Sequence, residues 1–233
     1  MSPLKPNQAI SSEKELPKVT WQPLHDEVYN ELRTALMEAR FEPGAQLRMR
    51  AVAKMLGVSV MPVRAAFLRL KAEKAVEQAA NGTTVVPRLS RAEFEEITLL
   101  RENLEGLAAE KAAELASEQD LVTLTELADE ITKTAKDQDK ERYFKASKNF
   151  KFAVVAAARA PVLFDLVESL WIRIGPLMYN FSSNFEVQLK IDRQHDVVEA
   201  IRKGDGKAAR KAMARDIADG AKFLRTTAAF DEK

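Results

Sequence analysis

The sequence predicts a mainly α chain in two parts: a small N-terminal unit of three helices closed by a β-hairpin, then an antiparallel bundle of six or seven helices. Three observations predict it. Apolar residues recur at helical spacing through most of the chain, the one change of period centres on Asn81-Gly82, and no alternating pattern follows Val86. With 46% hydrophobic and 30% charged residues over 233 positions, the composition is that of a globular chain long enough for two modest domains. Residues 1–20 carry three prolines and no periodicity, which predicts a mobile tail.

The first helix is read from Leu24, Val28, Leu32, Ala35 and Leu36, and the breaker Glu42-Pro43-Gly44 stops it. A short helix follows over Arg50 to Leu56, with Gly57 placed for a left-handed C-cap. Ser59 is positioned to cap a third helix, and Pro62 falls in its first turn, where a missing N–H breaks no helical bond. Val63, Phe67 and Leu70 form the buried stripe of that helix, which leaves Val60, Met61 and Arg64 on its other side. Ala75 to Ala80 and Thr83 to Val86 then flank Asn81-Gly82, a two-residue hairpin signal. Helix, short helix, tight turn, helix and hairpin make a winged helix-turn-helix over residues 21–87. In that fold the second helix of the motif enters the major groove of DNA with its N-terminal residues at the base edges.

Charge supports the same reading. Residues 21–88 hold ten Lys/Arg against seven Asp/Glu, whereas residues 89–233 hold 23 against 26. Arg48 to Lys74 alone has seven basic side chains to one acidic, a stretch able to displace counterions from a phosphate backbone. Zero cysteines exclude a disulfide framework and any thiolate metal site or catalytic thiol. Two histidines in all, no HExxH, no glycine-rich phosphate loop and no nucleophile motif speak against an enzyme. The longest apolar run, Phe152 to Ala158, is too short to span a bilayer and the N-terminus lacks a signal-peptide core, so a cytoplasmic protein without membrane contact is expected.

Residues 88–228 read as helices throughout. Ser90 and Glu93 form a capping box for a helix running to about Leu115, and Ser117 opens another through Leu121, Leu124, Leu127 and Ile131. Further segments run from about Glu141 to Ala158, from Pro161 to about Ser182 with a break at Gly175-Pro176, from Phe185 to Lys203 and from Gly206 to Phe223. Bundles of this kind build ligand sites from side chains facing one another across the core. Asp216 lies on the inward stripe Ala209, Met213, Asp216, Gly220, Phe223 and therefore needs a partner.

Three runs carry a family resemblance: Pro43-Gly44 to Leu47, Val52 to Ser59 and Met61 to Leu70. Over residues 24–87 they resemble the DNA-binding domain of the GntR superfamily. The phrase Leu100 to Ala108, with Arg193 to Ile201 and Gly204-Asp205, resembles the FCD ligand domain of its FadR-type branch. The resemblance implies a regulator that binds double-stranded, pseudo-palindromic operator DNA as a homodimer and responds to a small molecule. Arg48, Arg50, Ser59, Val60, Met61, Pro62, Arg64, Asn81 and Gly82 are its candidate DNA-contacting residues. Arg64 has the fork to read a guanine O6/N7 edge, while Arg48 and Arg50 suit phosphates. Members usually carry an arginine directly after the Ser or Thr cap; Val60 replaces it here, so a different operator is expected.

Many members of that branch hold a divalent metal with one Asp, a His four residues later and two further His. Matched position by position, these fall on Ser147, Lys151, His195 and Asp216. A lysine ammonium has no lone pair to give, so no metal or other cofactor is expected. Either an internal ion pair replaces the metal or a fixed positive charge meets an acidic ligand, a small carboxylate. Ser147, Lys151, His195, Asp216 and Arg101 are the candidate ligand-binding residues. The competing readings are a helical domain that only dimerises and a family-typical metal-dependent site.

Overall fold

The computed structural model describes residues 24–183 and 193–231, so the expected N-terminal tail and the start of the expected helix from Phe185 lie outside the described residues. Helix α1 (Leu24–Met37) is followed by strand β1 (Gln46–Leu47), α2 (Met49–Leu56), α3 (Val60–Ala72) and the hairpin strands β2 (Glu77–Gln78) and β3 (Thr84–Val85). The bundle comprises α4 (Arg91–Leu115), α5 (Glu118–Lys136), α6 (Lys140–Ala157), α7 (Pro161–Ile174), a 3-10 segment (Gly175–Ser183), α8 (Gln194–Arg202) and α9 (Gly206–Thr227).

Local chemistry accounts for most of these boundaries. Gly57 closes α2 at φ 66°, its N–H reaching the carbonyls of Ala53 and Lys54. At α4 the box is reciprocal: Ser90 Oγ accepts from the Glu93 N–H (3.2 Å) and Glu93 Oε2 accepts from the Ser90 N–H (3.0 Å). Ser117 and Asp120 repeat the arrangement at α5, and Asp139 and Asp205 cap α6 and α9 with their carboxylates. Ser59 sits at the N-cap of α3 with extended dihedrals but its side chain makes no capping bond, so the expected cap is one of position only. What holds α3 is burial: Val63, Phe67 and Leu70 are each at most 5% exposed. Burying each is worth about 1.5–3 kcal/mol, so the three together outweigh the roughly 1 kcal/mol of a missing cap bond.

Two features depart from the sequence reading. Gln46–Leu47 joins the hairpin as a third strand, giving the order β1-β3-β2, all antiparallel. A two-residue strand is too short to leave a periodic pattern. The turn also differs: the Gly82 N–H bonds to the Ala79 carbonyl (2.8 Å), the Ala79 N–H to the Thr83 carbonyl (2.9 Å), and Gly82 stands at φ 80°. This is a three-residue loop ending in a left-handed glycine, not a two-residue turn. The expected break at Gly175-Pro176 is where α7 gives way to the 3-10 segment.

In the bundle α4 packs along α9, α5 along α6, and α8 against α4, α5 and α9. The N-terminal unit does not keep a core to itself. Leu32, Leu36, Val63 and Phe67 belong to one continuous apolar cluster with Ala108, Val167 and Trp171 of the bundle. The junction is close: a Cβ added to Gly175 would lie 2.4 Å from the Leu36 carbonyl oxygen, so any larger residue there would push α1 away from α7. Two ion pairs cross it, Arg33 to Glu168 (2.6 Å) and Lys148 to Glu38 (2.7 Å). Burial works against the Glu38 charge, but Lys148 and Arg40 outweigh it and hold the carboxyl below its ordinary range.

Candidate nucleic-acid interface and ligand cavity

The exposed side of α3 follows from its buried side. With Pro62, Val63, Ala66, Phe67 and Leu70 turned inward, Met61, Arg64, Ala65 and Leu68 at i, i+3, i+4 and i+7 form the outward stripe. Met61 is 71% and Leu68 65% exposed. Arg64 is exposed and makes no ion pair among the described residues, unlike Arg69 at the far end of the helix, which bonds Asp26 (2.5 Å) and covers the Tyr29 ring. Ser59 is exposed beside the start of α3, and Arg48 and Arg50 are exposed at the start of α2. Asn81 and Gly82 form the exposed hairpin tip, where Asn81 Oδ1 accepts from the Thr83 N–H (3.0 Å).

Two sequence candidates are placed differently. Pro62 is buried, so its ring starts the helix and is not presented to a base. Val60 is half-buried and packs on the N-terminal core, which leaves little of it for a groove. Leu68 went unnoticed in the sequence, although its spacing of seven from Met61 is the signal that would have found it.

The bundle contains a partly open cavity of ≈ 80 Å³, room for several water molecules or a small organic molecule. Six polar residues line it: Thr98 and Arg101 from α4, Ser147 and Lys151 from α6, Gln194 from α8 and Asp216 from α9. The rest of the wall is largely apolar, including Phe94, Trp171, Ile217 and Leu224. Met37, the last residue of α1, also lines it, so the N-terminal unit supplies part of the wall.

Lys151 is 3% exposed and its ammonium donates to Asp216, whose other carboxylate oxygen accepts from Gln194 Nε2 (2.7 Å). Between the two alternatives left by the sequence, the internal ion pair is the arrangement present. Arg101 is 6% exposed; its Nε donates to Glu105 Oε1 (2.6 Å) and its guanidinium carbon lies 4.4 Å from the Trp171 ring centroid. Trp171 Nε1 donates to the same Glu105 oxygen (3.1 Å). The two terminal nitrogens of Arg101 make no hydrogen bond among the described residues. Arg101 is thus a glutamate's ion-pair partner that still presents a two-pronged donor to the cavity.

His195 is not in the cavity. Its Nε2 lies 2.9 Å from Asp129 Oδ1 on the outer face of α5, and its side chain is 39% exposed. Gln194, one residue and about 100° earlier on α8, is the inward residue. The stripe Gln194, Val197, Val198, Ile201 was legible at i, i+3, i+4 and i+7. Gln194, and not the family-matched His195, therefore lines the cavity.

Residues 24–86 match the bacterial regulatory proteins of the gntR family, and residues 96–219 match the FCD domain. The chain belongs to the GntR family of transcription regulators, in its FadR-type branch. It is 30% identical over 191 residues to the HTH-type transcriptional regulator McbR of Escherichia coli K12, covering 81% of this chain and 86% of that one. To the HTH-type transcriptional repressor RspR of the same organism it is 23% identical, covering 88% and 90%. The solved structure of E. coli McbR/YncC superposes with a TM-score of 0.81 at 27% identity, covering 87% of this chain and 97% of that one. These relatives are named as regulators, and the GntR family is not a family of enzymes.

The donor set here does not fit the divalent metal that many FadR-type GntR members hold. The four facing groups are a hydroxyl, an ammonium, an amide and a carboxylate, and the carboxylate is already engaged by Lys151 and Gln194. A cation placed there would meet a fixed positive charge and lose two of its usual donors. Among the described residues no three His, Cys, Asp or Glu side chains come together in an arrangement that could hold a metal ion. No single described helix is long and apolar enough to cross a membrane.

Proposed function

We propose that the chain is a cytoplasmic, ligand-responsive GntR regulator that binds a pseudo-palindromic operator as a homodimer. Residues 21–87 read the DNA, and residues 88–228 hold a small acidic effector and the dimer contacts. Arg64 reads a guanine, Arg48 and Arg50 hold phosphates, and Asn81-Gly82 approaches the backbone from the wing. One observation carries the reading: the unit that bears the exposed α3 stripe also supplies Met37 to the wall of the bundle cavity. A ligand in that cavity touches the DNA-reading unit directly, and any difference in its fit to two positions of α1 shifts DNA affinity.

The effector class follows from the pairing of charges. Lys151 with Asp216 and Arg101 with Glu105 each cancel, so the cavity does not favour a multiply charged ion. The uncommitted cavity groups include the two terminal nitrogens of Arg101, which suit one carboxylate, and the Thr98 and Ser147 hydroxyls, while the walls suit an apolar body. The effector is a small monocarboxylate with a hydrocarbon or aromatic remainder, and Lys151, Ser147 and Gln194 shape the pocket around it.

The test is to screen small carboxylates by thermal shift against the full chain, with and without chelator, and to measure the metal content of the purified protein. Stabilisation by monocarboxylates and its loss in Arg101→Met, with no stoichiometric metal and no chelator effect, is the expected outcome. A tightly held metal ion in each subunit would overturn the effector assignment. Finding no stabilising compound would favour a bundle that only dimerises.

A further inference from the structure

The outward stripe of α3 holds one charge in an otherwise apolar row: Met61, Arg64, Ala65, Leu68. A single exposed apolar side chain on a soluble protein needs no explanation. Two large ones, more than three-fifths exposed and bracketing Arg64 at −3 and +4, are continuous with the face that the GntR fold turns to DNA. Neither offers a hydrogen bond, and neither is needed by the core, which the opposite stripe already fills. Leaving them in water is unfavourable, and a partner with matching apolar groups would relieve that cost. In the major groove the only apolar group on an unmodified base edge is the thymine C5 methyl.

We infer that Met61 and Leu68 are specificity-determining residues that read thymine methyls on either side of the guanine bound by Arg64. The half-site is then a guanine flanked by thymines on the strands that line the groove. Its discrimination at the flanks comes from methyl burial, with hydrogen bonding confined to the central base. Val60, half-buried against the core, does not share this role. Met55, though 69% exposed, lies on α2, the helix that crosses the phosphates, and so meets no base edge.

The inference rests on the DNA-binding reading above, and the experiment separates the two. Binding duplexes are first selected from a random-sequence pool with the full-length protein. Each thymine of the selected half-site is then replaced by deoxyuridine, which removes the methyl and keeps every hydrogen-bonding group. Two flanking positions are expected to weaken about three- to five-fold each, the effect of one buried methyl group. Met61→Ala should weaken binding to the thymine duplex similarly and should be indifferent to uracil at one position, with Leu68→Ala doing the same at the other. Replacing cytosine by 5-methylcytosine at a flanking position should recover about the same three- to five-fold, because the methyl is the group read and neither side chain bonds the group at C4. Selection of a sequence that is insensitive to uracil, or equal uracil penalties in the wild type and both variants, would overturn the methyl reading while leaving DNA binding intact. Failure to select any sequence would overturn both.

Discussion

Arg64 and Arg101 carry the same side chain in opposite settings. Arg64 stands in water on an exposed helix face with no ion pair among the described residues, while Arg101 is 6% exposed, bonded to Glu105 and stacked on Trp171. The first arrangement costs the fold almost nothing and leaves the whole guanidinium for a partner outside the chain. The second depends on a buried carboxylate to exist at all, because an unpaired charge in that environment is untenable. The difference teaches that the DNA-reading face can change residue by residue without disturbing the fold, whereas the cavity changes only by swaps of matched groups. Lys151 with Asp216 is such a matched pair.

The comparison breaks most readily at the buried pair. Lys151→Met leaves Asp216 charged and half-satisfied, and unfolding in urea should show a loss of about 3–5 kcal/mol. Lys151→Met combined with Asp216→Leu should recover most of it. A loss under about 1 kcal/mol in the single variant would mean the pair is not the structural unit described here.

The junction between the two regions comes next. Glu38→Gln removes one partner of the buried bond to Lys148 and should cost about 1.5–3 kcal/mol at neutral pH. Because the folded carboxyl lies below its ordinary value of 4.5, the wild-type advantage is full above that value and is lost as pH falls through the lowered one. Wild type and Glu38→Gln should therefore converge in acid, as followed by thermal unfolding at neutral pH and at successively lower pH. An unchanged gap in acid would place the effect elsewhere.

At the exposed face the expectation reverses, with binding changing and stability not. Arg64→Ala should lose about 1–3 kcal/mol on the selected operator and flatten discrimination at one base, with unfolding unchanged within about 0.5 kcal/mol. Arg50→Ala should weaken all duplexes alike and lower the salt slope by about one. The smallest effect belongs to His195→Ala. Its side chain pairs with an exposed Asp129 outside the cavity, so stability and effector response should both stay within about 0.5 kcal/mol of wild type. A lost effector response in that variant would return His195 to the site.

Legibility followed the same division. At α3 the inward residues alternate cleanly with the outward ones, and the fold of the N-terminal unit was readable from Gly57, Pro62 and the apolar stripes. In the cavity a resemblance supplied the positions and residue type supplied the register, and α8 shows where that fails. His195 falls on a ligand position of the family, yet Gln194 continues the inward stripe with Val197, Val198 and Ile201. Strand β1 and the three-residue wing turn were missed for a different reason: elements of two or three residues are set by neighbours and not by a pattern of their own.

Periodicity, caps and breakers determined the helices, their order and which stripe of each turns inward, because those depend on residues within a few positions of one another. What only the tertiary structure decided is how those stripes meet. The closure of the core across Leu36 and Trp171, the entry of Met37 into the cavity wall and the seating of Gly175 on α1 join residues far apart in the chain. No local pattern encodes such contacts. They come from packing complementarity between whole helices, and the charge pairs at their meeting points, Lys151 with Asp216 and Lys148 with Glu38, exist only once that packing has removed water from both partners.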